Sequence, residues 1–187
     1  MVRLLDFVGS LLLFIALLPL FAVLSLLIFL QDFHNPIFTQ QRVGKNLKLF
    51  KILKFRTMKV EQGEMANKMT QKNDTRITFL GKILRKTSLD ELPQIINVLT
   101  GDMSFVGPRP YMAWQVEQFN NEEEWAKRHT VRPGITGLAQ INGRSALDQN
   151  ARTKLDFEYI DNYSLKMYLK VFIDTLFKVV KLIKSAN

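Results

Sequence analysis

Residues 7 to 30 read Phe-Val-Gly-Ser-Leu-Leu-Leu-Phe-Ile-Ala-Leu-Leu-Pro-Leu-Phe-Ala-Val-Leu-Ser-Leu-Leu-Ile-Phe-Leu, with only Gly9, Ser10, Pro19 and Ser25 interrupting the apolar side chains. As one helix this stretch would extend roughly 36 Å, enough to cross a bilayer. It is too long for a typical signal-peptide core, and no small-x-small cleavage site ends it. A single transmembrane anchor is the plainest reading. Pro19 opens another. Its missing N–H leaves the Ile15 carbonyl without a helical partner, and its ring disfavours helix at Leu18. Each half is then about 18 Å long, roughly half the hydrocarbon thickness. The run either kinks and spans, or turns back as a re-entrant hairpin whose freed backbone needs polar partners. Asp6 and Asp32 near the two ends do not decide orientation, whereas the basic residues from Arg42 onward place the body on the cytosolic side.

The rest of the chain supplies one domain of ordinary size within a total of 187 residues. Hydrophobic residues at 47% and charged residues at 23% are globular values. The 26 Lys and Arg against 17 Asp and Glu leave a formal net charge of +9, which favours a polyanionic partner: nucleic acid, an anionic membrane surface or a phosphorylated substrate. The absence of cysteine excludes disulfides, a thiolate nucleophile and a Cys-based zinc site. With His34 and His129 alone, a His-rich metal site is also unexpected, so the chemistry must run on carboxylates, hydroxyls and cations.

Ile37 to Gln41 and Phe50 to Met58 read as strands of a small hairpin turned at Val43-Gly44-Lys45-Asn46, with Lys51, Lys54, Arg56 and Lys59 on the second strand. Residues 60 to 73 read as a polar loop. Ile77, Leu80 and Leu84 share one helical face, flanked by Lys82, Arg85 and Lys86. Gln94 to Leu99 reads as a second apolar helix stopped at Gly101, residues 101 to 110 as a loop, Met112 to Arg128 as a helix, and Arg132 to Arg144 as irregular. In the C-terminal segment Lys166, Lys170, Asp174, Lys178, Lys181 and Lys184 recur every three or four residues opposite Leu169, Phe172, Ile173, Leu176, Val180 and Ile183. That pattern fits a surface helix packed on the core, or one lying in an anionic membrane interface. The fold class expected is α+β and mostly helical.

Arg85 to Gln94 read Arg-Lys-Thr-Ser-Leu-Asp-Glu-Leu-Pro-Gln. Ser88-x-x-Glu91 matches a capping box, so plain capping is the structural reading. Pro93 weighs against Ser88 as cap, because it would then stand where a backbone N–H is needed. With Asp90 as cap, Pro93 falls in the tolerated first turn. Both acids then sit at the positive end of a helix, which should depress their pKa values. A carboxylate there suits a Mg²⁺ ligand or a nucleophile toward phosphorus, and Asp90 is the expected metal ligand. Arg109, between Pro108 and Pro110, is either a stiffened phosphate-binding guanidinium or a rigid surface turn. Arg132-Pro133-Gly134 and Gly143-Arg144 again pair Arg with turn formers, and their backbone could approach a nucleotide closely. No P-loop, G-x-G-x-x-G or H-E-x-x-H motif occurs.

Six pieces, in order, resemble the bacterial sugar transferases called monotopic phosphoglycosyl transferases. They are Phe38-Thr-Gln-Gln-Arg-Val-Gly44, Lys54-Phe-Arg-Thr-Met58, Ser88-Leu-Asp-Glu-Leu-Pro-Gln94, Gly101-Asp-Met-Ser-Phe-Val-Gly-Pro-Arg-Pro110, Arg132-Pro-Gly-Ile-Thr-Gly137 and Ala139-Gln-Ile-Asn-Gly-Arg144. Singly they are modest, and together they are specific. The resemblance implies residues 1–32 as a re-entrant helix broken at Pro19, and residues 33–187 as a catalytic domain on the cytosolic face of a bacterial cytoplasmic membrane. It implies that Asp90 attacks the sugar-proximal phosphorus of a UDP-sugar, with Mg²⁺ assisting and UMP leaving. Undecaprenyl phosphate then takes the sugar phosphate. Glu91 belongs to the same catalytic dyad, and Arg85 and Arg109 contact phosphate, with Lys54 and Arg56 added to that set. Arg132, Gly134 and Arg144 are the expected nucleotide contacts, anionic lipid an expected partner, and nucleic acid not. Leu18 stands where Ser is common, Val43 where Pro is, Leu138 where Trp is and Tyr168 where Asp is. Without the extra transmembrane helices of larger relatives, the chain looks like the minimal catalytic form.

Two rival functions predict different outcomes. A membrane-anchored basic interaction protein would show steep salt dependence and indifference to Asp90. A Mg²⁺-dependent lipid phosphatase would release inorganic phosphate in place of UMP.

Overall fold

The computed structural model describes residues 1–60, 74–119, 122–143 and 147–185, and it is an α+β fold dominated by helices. Helix α1 spans Val2–Asp32 and is long and apolar enough to cross a membrane. The expected break at Pro19 does not interrupt it, since helical conformation continues through the proline. One lost hydrogen bond is tolerable where the flanking turns are strong helix formers such as Leu and Ala.

Both ends of α1 hold to the same body. Near the start, Asp6 Oδ1 accepts from Ser104 Oγ (3.1 Å), the Phe105 amide (3.1 Å) and Tyr168 Oη (2.8 Å). Near the end, Phe21, Leu24 and Ile28 pack with Phe55 and Leu84. At 100° per residue, Asp6, Ser10, Phe21, Leu24 and Ile28 fall on one stripe. Leu13 lies on that stripe too, yet it is exposed, as are Leu11, Leu12, Ile15, Leu18 and Pro19. The helix therefore contacts the body at both ends and stands off it in the middle.

Strands β1 (Ile37–Val43) and β2 (Leu49–Phe55) pair antiparallel from Ile37↔Phe55 to Val43↔Leu49. This is the expected hairpin, with the second strand shifted one residue earlier and stopped three residues sooner. Helix α2 (Phe79–Thr87) is capped by Thr78 Oγ1, which accepts from Gly81 N at 2.9 Å. Gly81 lies against the Thr57 carbonyl, where a Cβ would clash with backbone, so α2 sits tightly on the end of β2. Helix α3 (Gln94–Thr100) ends at Gly101, whose φ of 94° is the left-handed cap expected there. Arg3 donates to the carbonyls of Val98 (2.5 Å) and Leu99 (2.8 Å), adding cationic caps to that C-terminus.

Beyond α3 the short strands β3 (Ser104–Val106) and β4 (Gly134–Thr136) run parallel. The single helix expected over Met112 to Arg128 is instead a 3₁₀ stretch, Ala113–Gln118, followed by α4 (Glu122–Arg128). Phe119 between them is extended and packs its ring at 5.2 Å from Trp125. The stretch expected to be irregular holds β4 and α5 (Leu138–Ile141). Helix α6 (Gln149–Asp161), unforeseen in sequence, starts at Asp148, whose carboxylate accepts from Ala151 N at 2.7 Å.

Helix α7 spans Leu165–Ser185. Its packed side is Tyr168, Val171, Phe172 and Thr175, while Leu169, Ile173, Leu176 and Phe177 remain exposed beside the lysines. The apolar side read from sequence is thus divided: part faces the core and part faces outward. The main core gathers Phe50, Ile52, Val98, Met103, Val106 and Tyr159 between the hairpin, α3, β3 and α6. Each such fully buried side chain contributes about 1.5–3 kcal/mol.

Candidate active site

The two acids lie on a 3₁₀ turn, Leu89–Glu91, between α2 and α3. Ser88 ends α2 in left-handed conformation (φ 57°), and the amides of Glu91, Leu92, Ile95 and Ile96 then step along the carbonyls of Ser88, Leu89, Leu92 and Pro93. Asp90 is therefore not the cap of α3; Pro93 holds that position, without a side-chain cap. Proline fits there because its absent N–H has no intrahelical partner to lose. This turn ties the acids to two helices at once.

Strand β2 brings the first cation. Asn97, buried on α3, accepts from Leu53 N (2.9 Å) and donates to Lys51 O (2.9 Å), so its amide acts as a strand edge for β2. With α3 and β2 locked together, Lys54 Nζ reaches Glu91 Oε1 at 2.7 Å. Arg109 Nη2 donates to the same oxygen at 3.0 Å. Arg85, on α2, donates from Nε to Thr57 Oγ1 at 2.8 Å and lies within the electrostatic reach of Asp90. Arg42, on β1, stands near Arg109 and Glu91. Four cations and two acids thus leave this region with a net charge of +2.

The electrostatics separate the two acids. Burial pushes Glu91 up, but Arg109 and Lys54 outweigh it and hold the carboxyl at about 2. Asp90 moves the other way: burial raises it above the usual carboxylate value, Lys54 and Arg85 only partly offset that, and Glu91 adds to the rise. The expected depression of both by a helix terminus is thus overturned for Asp90, because its turn is too short to carry a helix dipole and desolvation decides. Burial and the nearby Arg109 bring Arg42 down to about 10.

Arg109 is presented by a close backbone crossing. Gly107, Gly134 and Gly137 lie against one another's backbones, where a Cβ on any of them would overlap main-chain atoms. Gly134, expected as a nucleotide contact, is needed for the approach of β4 to the Gly107-Pro-Arg-Pro110 loop. Arg56 is also used elsewhere: its guanidinium binds the Asp32 carboxylate and the carbonyls of His34 (3.1 Å) and Asn35 (2.7 Å), tying down the end of α1. Arg132 donates to Gly101 O at 2.8 Å and lines a cleft of ≈ 420 Å³ with Lys45, Asn46, Lys48 and Asp102, which neither acid lines. Arg144 lies outside the described residues. Neither Arg42 nor Asn97 carries a local signal that marks it for the site, although Arg42 stands inside the Phe38–Gly44 motif.

A resident Mg²⁺ fits this arrangement in type. The ion is bound through one or two carboxylates, with phosphate oxygens and water completing the shell. Asp90 makes no ion pair among the described residues, whereas Glu91 makes two. Asp90 is thus the carboxylate left without a direct ion pair among the described residues, and no cluster of three or more His, Cys, Asp or Glu exists among them to compete for a metal.

Comparison with known proteins places the whole chain. The family model described as "Bacterial sugar transferase" matches residues 1–182. The UDP-glucose:undecaprenyl-phosphate glucose-1-phosphate transferase of Escherichia coli (strain K12) is 42% identical over 179 residues, covering 92% of this chain and 39% of that protein. A UDP-N-acetylgalactosamine-undecaprenyl-phosphate N-acetylgalactosaminephosphotransferase of Aeromonas hydrophila is 43% identical over 169 residues, covering 88% of this chain and 39% of that protein. The uncharacterized sugar transferase EpsL of Bacillus subtilis (strain 168) is 44% identical over 147 residues, covering 78% of this chain and 71% of that protein. The chain thus spans about two-fifths of the length of the first two relatives. With the matched model extending over nearly every residue, from α1 through most of α7, the chain belongs to the bacterial sugar transferase family.

Proposed function

We propose that the protein transfers a sugar 1-phosphate from a UDP-sugar to undecaprenyl phosphate through a covalent intermediate on Asp90. The observation that carries this reading is the asymmetry of the dyad. Glu91 is held by Lys54 and Arg109, while its neighbour Asp90 keeps a carboxylate without an ion pair among the described residues. An anion so placed is free to attack, and the surplus positive charge around it suits a diphosphate. Phosphoryl transfer needs positioning and charge neutralisation more than elaborate proton transfer, which suits a site without Cys or His.

In the first half-reaction, an Asp90 oxygen forms a bond to the sugar-proximal phosphorus. The bond from that phosphorus to the oxygen bridging the two phosphates breaks, and UMP leaves with that oxygen. In the second, an oxygen of undecaprenyl phosphate attacks the same phosphorus and Asp90 departs as a carboxylate. Arg109 and Lys54 face the phosphate oxygens with donors already aimed by Glu91, and Arg85 supports Asp90 from α2. Mg²⁺, held by Asp90 with help from Glu91, would add positive charge against the phosphates.

The acceptor's phosphate lies at headgroup level, and the membrane side of the reading follows from α1. Its two ends hold to one body and its exposed apolar middle stands away, which suits a re-entrant helix dipping into one leaflet of the cytoplasmic membrane from the cytosolic face. The exposed Phe79 and Ile83 of α2, and Leu169, Ile173 and Phe177 of α7, sit beside lysines as expected for helices resting in an anionic interface.

The test is UMP release from a panel of UDP-sugars in detergent with undecaprenyl phosphate and Mg²⁺. Turnover with at least one UDP-hexose or UDP-N-acetylhexosamine is expected, and its complete absence with folded protein would overturn the assignment. Cysteine labelling at positions 2 and 62 in intact cells tests the topology. Equal accessibility is expected, and opposite accessibility means a span.

A further inference from the structure

The backbone that carries Arg109 is held at every carbonyl from Gly107 to Tyr111. Gln140 Nε2 donates to Gly107 O (3.5 Å), Gly134 N to Pro108 O (2.9 Å) and Arg128 Nη2 to Arg109 O (2.7 Å). Arg42 Nη1 donates to Pro110 O (3.2 Å), and Val43 N to Tyr111 O (2.8 Å). The prolines fix φ at 108 and 110 and confine Arg109, which precedes Pro110, to the extended region, within which its torsions still range over tens of degrees. Those torsions are set by the two flanking peptide planes. Gly134 holds the plane before Arg109, and Arg128 holds the plane after it. With both planes fixed, the Cα–Cβ direction of Arg109 is fixed too, and only side-chain torsions remain.

Arg128 is itself rigidly mounted. Its Nε (3.0 Å) and Nη2 (2.8 Å) both donate to Asp156 Oδ2, and its guanidinium carbon lies 3.9 Å from the centre of the Tyr111 ring. The two side chains are only 1% and 2% exposed. A sealed ion pair of this kind is weak as a source of stability, because desolvation consumes most of the attraction. What it supplies here is a donor at a fixed point, with α6 as its support through Asp156.

We infer that Arg128, mounted on Asp156, is a positioning residue that fixes the backbone of Arg109 so that its guanidinium meets Glu91 and the transferred phosphate. This deepens the reading above and rests on Arg109 being a phosphate contact.

The experiment is a double-mutant cycle on UMP release, using the UDP-sugar turned over fastest. Arg128→Lys keeps the charge beside Asp156 but gathers its donors on one nitrogen, without the rigid planar fork that holds Asp156 and the Arg109 carbonyl in fixed directions. In the wild-type background it should lower kcat/KM by about tenfold to a hundredfold, as misplacement of a catalytic contact does. In an Arg109→Ala background it should cost less than twofold, because nothing is left to position. Asp156→Asn should follow the same pattern more weakly. The thermal midpoint is measured for every variant. If Arg128→Lys proves unstable, the paired Arg128→Met, Asp156→Leu protein replaces it, since apolar substitution of a buried pair commonly preserves folding. An equal loss in both backgrounds, or no loss in the wild type, overturns the proposal. If Arg109→Ala alone retains wild-type kcat/KM, Arg109 is not a phosphate contact and this proposal falls with that assignment, while the continuing UMP release leaves the Asp90 reading standing, an outcome distinct from additivity.

Discussion

Two charge clusters of this protein are built on opposite plans. Around the 3₁₀ turn, Arg42, Lys54, Arg85 and Arg109 surround Asp90 and Glu91, the charges do not balance, and Arg109 is 48% exposed at its side chain. Between α4 and α6, Arg128 and Asp156 pair one to one and are sealed from solvent. The open cluster leaves a carboxylate without an ion pair among the described residues and a half-exposed guanidinium beside it, the arrangement a phosphorylated ligand can complete. The sealed cluster is complete within itself and can act only through what it holds, the Arg109 carbonyl. Charge that is left over points to chemistry, whereas charge that is satisfied points to geometry.

The comparison is tested most severely at Asp90. Asp90→Asn should lower UMP release by at least about a thousandfold, as loss of a nucleophile does, with little change in thermal midpoint. A variant that keeps near-normal turnover removes the nucleophile from the open cluster. Arg109→Ala should cost on the order of a hundredfold to a thousandfold in turnover, the range for removing one preorganised donor. A rate unchanged within a few-fold would make Glu91's second ion pair merely structural.

A third prediction concerns pH and belongs to the sealed side. His129, next to Arg128 in sequence, is buried, donates from Nδ1 to the Trp125 carbonyl (2.6 Å), and has no partner at Nε2 among the described residues. Burial first, and then Arg128, bring it down to about 4 against the Trp125 hydrogen bond. Above pH 6.5 the ring is neutral folded and unfolded, so it adds no pH dependence. Between 6.5 and about 4 only the unfolded chain takes the proton, so stability falls as pH falls, by about 3 kcal/mol in all. Denaturant titrations of wild type and His129→Asn at pH 7 and pH 4.5 should differ in their pH dependence by that sense. Parallel curves would mean the ring is solvated.

The smallest effect is expected where the open cluster is anchored. Asn97→Ala removes two hydrogen bonds between α3 and β2 and leaves Leu53 N and Lys51 O unpaired. It should destabilise by about 1–3 kcal/mol and loosen the approach of Lys54 to Glu91. A shift in turnover without any loss of stability would contradict the anchoring role.

Much of this molecule was legible before its structure. The hairpin, α2, α3 with its glycine stop, and α7 follow from periodicity and caps, which act within a few residues. The inventory of carboxylates and cations likewise left phosphoryl chemistry as the natural reading, and the motif order pointed to the family. Tertiary structure alone decided the partners. Lys54 and Arg56 are two residues apart, yet Lys54 meets Glu91, 37 positions away, and Arg56 meets Asp32, 24 positions back. Asp90 looked like a helix cap, and only its three-dimensional surroundings raise its pKa by desolvation. Asp156 and Arg128 carry no local signal, because an ion pair 28 residues apart is made by the docking of α6 on α4. Local chemistry fixes which groups are present and which segments are regular. Desolvation and long-range pairing, which set each group's charge and direction, exist only once the segments have packed.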